Sequence, residues 1–233
     1  MAELRVFGVD GIGEITRATD LAQIILDAVD LCDHDIVVVT QKIVSKAEGA
    51  MAQIDPDNPL SHKPLVEAQS KRILRRRGEL IISETQHGFV CANAGIDLSN
   101  VEAGWAALLP EDPDRSARRI RDGIRGKAGV NVGVIVSDTF GRPWRRGVTD
   151  VAIGAAGIST ILDLRGTQDA YGRELAVTEV CLVDELAAMA DLVMGKASAV
   201  PVAVIRGADL SWFSHDGGVV DTVVRHPSDD LFR

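Results

Sequence analysis

Two short polar runs hold the residues best suited to chemistry. The first is Asn93-Ala94-Gly95-Ile96-Asp97-Leu98-Ser99-Asn100. The second is Ser137-Asp138-Thr139-Phe140-Gly141-Arg142-Pro143-Trp144-Arg145-Arg146-Gly147. Each follows an apolar run of β type, Phe89 to Ala92 and Val132 to Val136. A strand ending at an aspartate flanked by Ser, Thr or Asn places hard oxygen ligands at a sheet edge, where α/β proteins put their sites. Carboxylate, hydroxyl and amide oxygens suit Mg²⁺ or Mn²⁺. Arg142, Arg145 and Arg146 add guanidinium forks that match phosphate or carboxylate. A metal site beside an anion site points to phosphoryl transfer.

Each residue also has a plainer reading. Asp97 alone is a turn residue capping backbone amides, and Asp138-Thr139 an N-cap pair. The three arginines make a surface patch paired with Asp150, and Trp144 packs a loop. The joint context favours the site: both aspartates close apolar strands, both have Asn or Thr oxygens beside them, and Gly141 and Gly147 shape the arginine loop.

To hold these runs, strands and helices must mix along the chain. Residues 3–7 alternate and predict a strand, and Gly8, Gly11 and Gly13 mark a loop. Helical spacing from Asp20 to Ala28, with Asp20 or Thr19 as N-cap, predicts a helix. Asp35 to Thr40 has the near-continuous apolar pattern of a strand buried on both faces. Gln41 to Gly49 leaves that strand with Lys42 and Lys46. Pro56, Pro59 and Pro64 place a loop over 53–64. The segment Val66 to Arg77 reads as a helix ended by Gly78, with Arg75, Arg76 and Arg77 complementing its dipole. Residues 80–83 and 89–92 read as paired strands. Asp112-Pro113 starts a helix that runs to about Gly126. Residues 149–164 are rich in Gly and Ala, Thr178 to Met194 is the strongest helical pattern, and Ala199 to Ile205 predicts a strand. The fold class is α/β of a mixed, α+β kind, too irregular in its alternation to specify a doubly wound sheet.

Composition bounds the function. The chain has 233 residues, 46% hydrophobic and 25% charged, which suits one large globular domain or two small ones. Aromatics are only 4%, so Val, Ile, Leu and Ala must build the core. A net charge of −9 argues against nucleic acid as a partner, while a local arginine cluster can still hold a small anion. Cys32, Cys91 and Cys181 have no CxxC spacing and read as reduced thiols of a cytoplasmic protein. The N-terminus lacks a signal-peptide pattern, and no apolar run reaches ~18 residues, so no membrane partner is expected. Gly126-Lys127 and Gly195-Lys196 are each followed by Ala, so neither is a Walker A loop. GxGxxG, GxSxG and HExxH are also missing, which removes the dinucleotide, triad-hydrolase and zinc-protease readings.

The same runs resemble the coenzyme F-420:L-glutamate ligase family. The resemblance covers Gly11 and its loop, Val38-Val39-Thr40-Gln41-Lys42-Ile43-Val44-Ser45-Lys46-Ala47-Glu48-Gly49, the two polar runs, and Asp169-Ala170-Tyr171-Gly172-Arg173-Glu174-Leu175. It continues through Val177 to Glu185, Met194-Gly195-Lys196 and Pro201 to Gly207, so it spans essentially the whole chain in order. Within the family the chain is most similar to the ligase domain of the actinobacterial two-domain enzymes. Here residues 1–233 are expected to form a single ligase domain without the C-terminal nitroreductase-like domain.

The resemblance implies a mixed-sheet ligase fold with two intertwined subdomains, a homodimer, and a GTP-dependent reaction. In it L-glutamate is joined to F-420-0, a deazaflavin phospholactate, through an acyl phosphate. GDP and phosphate leave, and the γ-glutamyl tail is extended. Mg²⁺ or Mn²⁺, as two divalent ions, and K⁺ are the implied cofactors. Position by position, Asp97 and Asp138 match ligands of one ion, and Asp138 and Thr139 match ligands of the other. Asn100 matches a GTP contact, as do Ile12, Gly13, Glu14, Ile15, Gln41, Lys42 and Lys46. Met194, Gly195, Lys196, Ala197, Ser198, Ala199, Val200 and Pro201 match a further nucleotide-binding loop. Lys196 stands where archaeal relatives offer an acidic ligand, so either the second ion has fewer protein ligands or Lys196 touches phosphate. The alternatives are a related amide ligase or phosphotransferase acting on another anionic acid, or a non-catalytic deazaflavin- or metal-binding paralogue.

Overall fold

The chain threads one main sheet, then builds a second small core in an excursion, then returns. The computed structural model describes residues 3–214 and 217–231. In order, the first half contains β1 (Arg5–Gly8), α1 (Leu21–Ala28), β2 (Ile36–Thr40), α2 (Gln41–Glu48), β3 (Met51–Gln53), α3 (Lys63–Gln69), β4 (Ser70–Arg77), β5 (Leu80–Thr85), β6 (Val90–Ala92) and β7 (Trp105–Ala107). The rest contains α4 (Pro113–Ala128), β8 (Gly133–Gly141), β9 (Val148–Ala156), β10 (Ile161–Asp163), β11 (Glu179–Cys181), α5 (Leu182–Met194), β12 (Val202–Arg206) and the short α6 (Val219–Thr222).

The main sheet has the order β1-β12-β2-β8-β9. Only β2 and β8 pair in parallel; the other neighbours are antiparallel, so the sheet is mixed. Ile36, Val37, Val38 and Val39 are fully buried, as are Val134, Ile135 and Val136, so the apolar runs of the sequence are the sheet centre. Ile25 of α1, Ile124 of α4 and Leu186 of α5 pack into the same core. Asp35 immediately precedes β2 and is gripped by Arg206 at the end of β12, with contacts of 2.8 and 2.6 Å. This bidentate pair locks the neighbouring strands β2 and β12 at one end.

Two close approaches set the outer elements. A Cβ on Gly154 would stand 2.3 Å from the Pro113 carbonyl carbon, so only glycine lets α4 begin against β9. Asp114, in the first turn of α4, is buried and accepts the backbone N–H groups of Ala155, Val219 and Val220. One carboxylate thus joins α4, β9 and α6.

Residues 51–107 carry a separate small core of Val66, Ile81 and Ala94, with a β3–β7 ribbon and a β4-β5-β6 sheet. Here the helix predicted over 66–77 is corrected. The helix is α3, and from Ser70 the chain is strand β4, paired with β5. Lys and Arg favour helices only weakly, and strand pairing overrides them. Lys71 and Arg72 reach the buried Glu84 of β5, an anion they help to neutralise. Arg75, Arg76 and Arg77 therefore lie on an edge strand, where charge discourages pairing with another chain, and not at a helix tip. The paired strands predicted at 80–83 and 89–92 are present as β5 and β6. Gln41 to Glu48 forms α2, and α5 begins only at Leu182, after β11.

Candidate functional site

The site lies where β2 stops and β8 does not. Thr40 pairs with Ser137 in the last rung of the parallel pair. Beyond it β2 turns directly into α2, while β8 continues through Asp138 to Gly141 with β9 alongside. Asp138 and Thr139 therefore overhang the carboxyl edge of the parallel strands, the usual place for a ligand crevice. The expectation that the strand ends at Asp138 is corrected: the aspartate is inside a long antiparallel ladder.

A bulge adjusts that ladder. Val136 faces Gly154, but Ser137 faces Ala152, so one residue of β9 is unpaired there. Bulges bend the strand and re-aim side chains. Past it Thr139 pairs with Asp150. Ser137 and Thr139, two apart, share a strand face. Both hydroxyls donate to Asp150, at 2.9 and 2.6 Å.

Lys196 completes this cluster. It follows α5, whose C-cap Gly195 has φ +60°. Its Nζ lies 2.7 Å from Asp150 Oδ1 and 3.0 Å from Asp191 Oδ1, and it also donates to Thr139 Oγ1. Burial alone would lower the Lys196 pKa; the bonds to Asp150 and then Asp191 outweigh it and hold the ammonium above its ordinary value. Asp150 is therefore the partner of Lys196, not of the arginines of the second polar run.

Asp97 approaches from the other core. After β6 the backbone turns sharply, with positive φ at Asn93 and Ala94, and Asp97 is fixed by reciprocal backbone bonds with Ala107 of 3.0 and 2.9 Å. Its carboxylate accepts from the Ser99 N–H at 2.7 Å and the Ser99 hydroxyl at 2.8 Å. Lys42 Nζ stands 2.9 Å from Asp97 Oδ2. Burial pushes the Asp97 pKa up, but the Ser99 amide and then Lys42 overcome this and hold it below the ordinary range. Asp138 goes the other way. Burial, opposed by the Thr139 amide and reinforced by the charges of Asp97 and Asp150, raises it to about 7.

These groups line one cleft of about 700 Å³. Of the residues singled out in the sequence, Ile12, Gly13, Glu14 and Ile15 of the β1–α1 loop and Gln41, Lys42 and Lys46 of α2 line it. So do Asp97, Asn100, Asp138 and Thr139, and, from the end of α5 and the loop after it, Met194, Gly195, Lys196, Ala199, Val200 and Pro201. Ala197 and Ser198 belong to the same loop but not to the lining; the Ser198 hydroxyl donates to the Met194 carbonyl and shapes the loop. Arg142, Arg145 and Arg146 are exposed on the β8–β9 loop, outside the lining. The sequence reading missed Asp150, Asp191, Glu102 and Thr40 as lining residues; Ser137 it had only as part of the second polar run. An isolated acid in the apolar Val148-Thr149-Asp150-Val151 stretch was the available signal for Asp150.

Six carboxylates (Glu14, Asp97, Glu102, Asp138, Asp150 and Asp191) and three lysines share the lining, and Lys46 is paired with Glu14 at 2.6 Å. Among the described residues, no three His, Cys, Asp or Glu side chains form a ready metal cage. Gln41 is buried, its Oε1 accepts from Ser45 at 2.9 Å, and its Nε2 has no partner among the described residues. A buried donor without a partner is costly unless a ligand supplies the acceptor.

Fold and cleft together define an α+β protein that gathers acidic and cationic groups at the carboxyl edge of a mixed sheet. Residues 11–207 match the family model described as F420-0:Gamma-glutamyl ligase. The coenzyme F420:L-glutamate ligase of Methanothermobacter thermautotrophicus is 43% identical over 99% of each chain. That of Methanopyrus kandleri is 42% identical over 94% of each, and that of Archaeoglobus fulgidus 37% identical over 99% of this chain and 96% of its own. The chain belongs to the F420-0:gamma-glutamyl ligase family and is a ligase. Among the described residues no helix is long and apolar enough to cross a membrane.

Proposed function

We propose that this ligase joins L-glutamate to F-420-0 at the expense of GTP, by way of an acyl phosphate, and extends the γ-glutamyl tail. The observation that carries the reading is the meeting of Asp97 and Asp138, from separate cores, in one cleft with Lys42, Lys46 and Lys196. Two polyanions and a carboxylate must approach one another in this reaction, and the lysines supply charge for them. Gln41 Nε2 and the 194–201 loop are the nucleotide contacts of this reading.

A divalent ion, Mg²⁺ or Mn²⁺, fits the donor set. Asp97 and Asp138 are close enough that one raises the pKa of the other, a repulsion that a shared cation removes. Two carboxylates with a hydroxyl beside them leave the rest of the coordination shell to phosphates and water, as Mg²⁺ prefers. When bound, the ion would neutralise charge on the transferring phosphoryl group. Asp97 and Asp138 would hold it, Ser99 and Lys42 orient Asp97, and Arg142, Arg145 and Arg146, exposed on the β8–β9 loop, would take the anionic acceptor. The free thiols support a reducing, cytoplasmic setting. The exposed Val148, Tyr171 and Val177 offer apolar surface to a second copy in a homodimer, which light scattering would detect.

The test is incubation of the protein with F-420-0, glutamate, Mn²⁺ or Mg²⁺, and GTP or ATP, read by mass spectrometry. Products longer by one or more glutamyl units, with GDP released, are expected. No glutamylated product overturns the substrate reading; equal turnover with ATP overturns the nucleotide assignment alone.

A further inference from the structure

We propose that the Lys196 ammonium is a permanent cation of the cleft, filling the position framed by Thr139, Asp150 and Asp191, so that the ligase takes one divalent ion per chain. This rests on the reading above for the ion at Asp97 and Asp138, and goes beyond it by fixing how many ions the cleft holds.

An ammonium has three donors and no acceptor. Here three oxygens from three elements receive it: Thr139 on β8, Asp150 on β9 and Asp191 on α5. Its donor capacity is met in full. Asp150 is 2% exposed and accepts from Ser137, Thr139 and Lys196. A carboxylate that deep needs a cation, because an uncompensated buried charge is strongly destabilising. Among the described residues, Lys196 is the cation paired with it.

Occupancy is therefore exclusive. A divalent ion held by the same oxygens would sit about 2.0–2.1 Å from each, inside the volume the ammonium already takes. The loop favours the lysine. Gly195 in the left-handed region turns the chain off α5, and Ser198 ties back to Met194, which anchors the base of the Lys196 side chain. The result is a charge that needs no loading. It stands beside Thr139, one residue from Asp138, and so flanks the place assigned to the divalent ion.

Counting Mn²⁺ decides it. Bound Mn²⁺ per chain would be measured by loss of the free-ion electron paramagnetic resonance signal, with a non-hydrolysable GTP analogue present. Wild type and Lys196→Arg are expected to bind one ion and Lys196→Gln two. The thermal midpoint of Lys196→Gln should fall in EDTA and recover with Mn²⁺ by more than that of wild type. An Asp138→Asn control should lose the wild-type ion. Two ions in wild type overturn the inference and leave the divalent reading standing; that count decides even if Lys196→Gln fails to fold. One ion in a folded Lys196→Gln also overturns it. No ion in any variant overturns the divalent reading itself.

Discussion

Lys42 Nζ lies 2.9 Å from Asp97 Oδ2 and 2.9 Å from Ser99 Oγ, so a lysine in the first turn of α2 closes the loop that carries the aspartate. An ammonium and a divalent ion that share one carboxylate compete. Lys42→Ala should therefore tighten Mn²⁺ binding in the absence of nucleotide, by about 5- to 10-fold for roughly 1 kcal/mol of relieved repulsion at a part-exposed site. Nucleotide binding should weaken at the same time. Calorimetric titration of Mn²⁺ with and without GTP measures both; unchanged Mn²⁺ affinity would separate Lys42 from the ion site.

Asp138→Asn should trade function for stability. Turnover should fall by at least about 100-fold, since the proposed ligand to the charge-neutralising ion is lost. In EDTA the variant should be more stable than wild type above neutral pH. Burial first, then the neighbouring Asp97 and Asp150, raise this carboxyl from 3.8 to about 7 in the folded chain. A raised carboxyl is protonated in both states at low pH and has no effect there. As pH climbs from about 4 to about 7 the unfolded chain gives up the proton first, so the native state loses stability across that window. Asparagine removes the loss, so the gain should be full above pH 7 and absent near pH 4. Melting curves at pH 4.5 and 8 would show it; a variant less stable at pH 8 would refute the electrostatic account.

How much of this was legible before the structure varied by element. Ile36 to Val39 and Val134 to Val136 are runs whose burial on both faces is written in their composition, and Asp20 and Asp112 are caps visible from residue type. The polar runs drew attention to Asp97 and Asp138 by clustering hard oxygens after apolar runs, and the fold brings both to one cleft. Asp150 was not legible in the same way. Its place beside Thr139 depends on the β8–β9 register, which a bulge shifts by one residue, and single-residue register is not encoded in local pattern. Strand β4 was misread as helix because its fate is decided by β5 and the buried Glu84, both distant from its own propensities. Lys196 could be numbered but not placed, since its three acceptors come from three elements.

Asp114 gives a stability prediction away from the cleft. Its carboxylate accepts Ala155 N–H at 2.8 Å, Val219 N–H at 2.8 Å and Val220 N–H at 3.2 Å. Asp114→Ala would leave these amides without their acceptor in a buried setting, at a cost of roughly 3 kcal/mol. For a chain of this size that lowers the thermal midpoint by about 6–12 °C. At temperatures where the variant is folded, its Mn²⁺ affinity should match wild type. A midpoint within error of wild type would show that α6 is held by other contacts.

The arginines of the β8–β9 loop give the sharpest remaining test. Arg142 follows Thr139 by three residues, yet its side chain and those of Arg145 and Arg146 are exposed and outside the cleft lining. The proposed function assigns this loop the anionic acceptor. Arginine holds such a group through two parallel N–H bonds, and lysine offers only a point charge. Replacing the working arginine by lysine should cost about 1–3 kcal/mol of transition-state stabilisation, or roughly 5- to 150-fold in kcat/KM for the acceptor. The KM for GTP and the thermal midpoint should stay put, because an exposed loop side chain contributes little to folding. At an arginine that only faces solvent the same change should be silent. Steady-state kinetics on the three single Arg→Lys variants separates the cases. Three silent variants would remove the acceptor from this loop and turn attention to the exposed Tyr171 and Arg173.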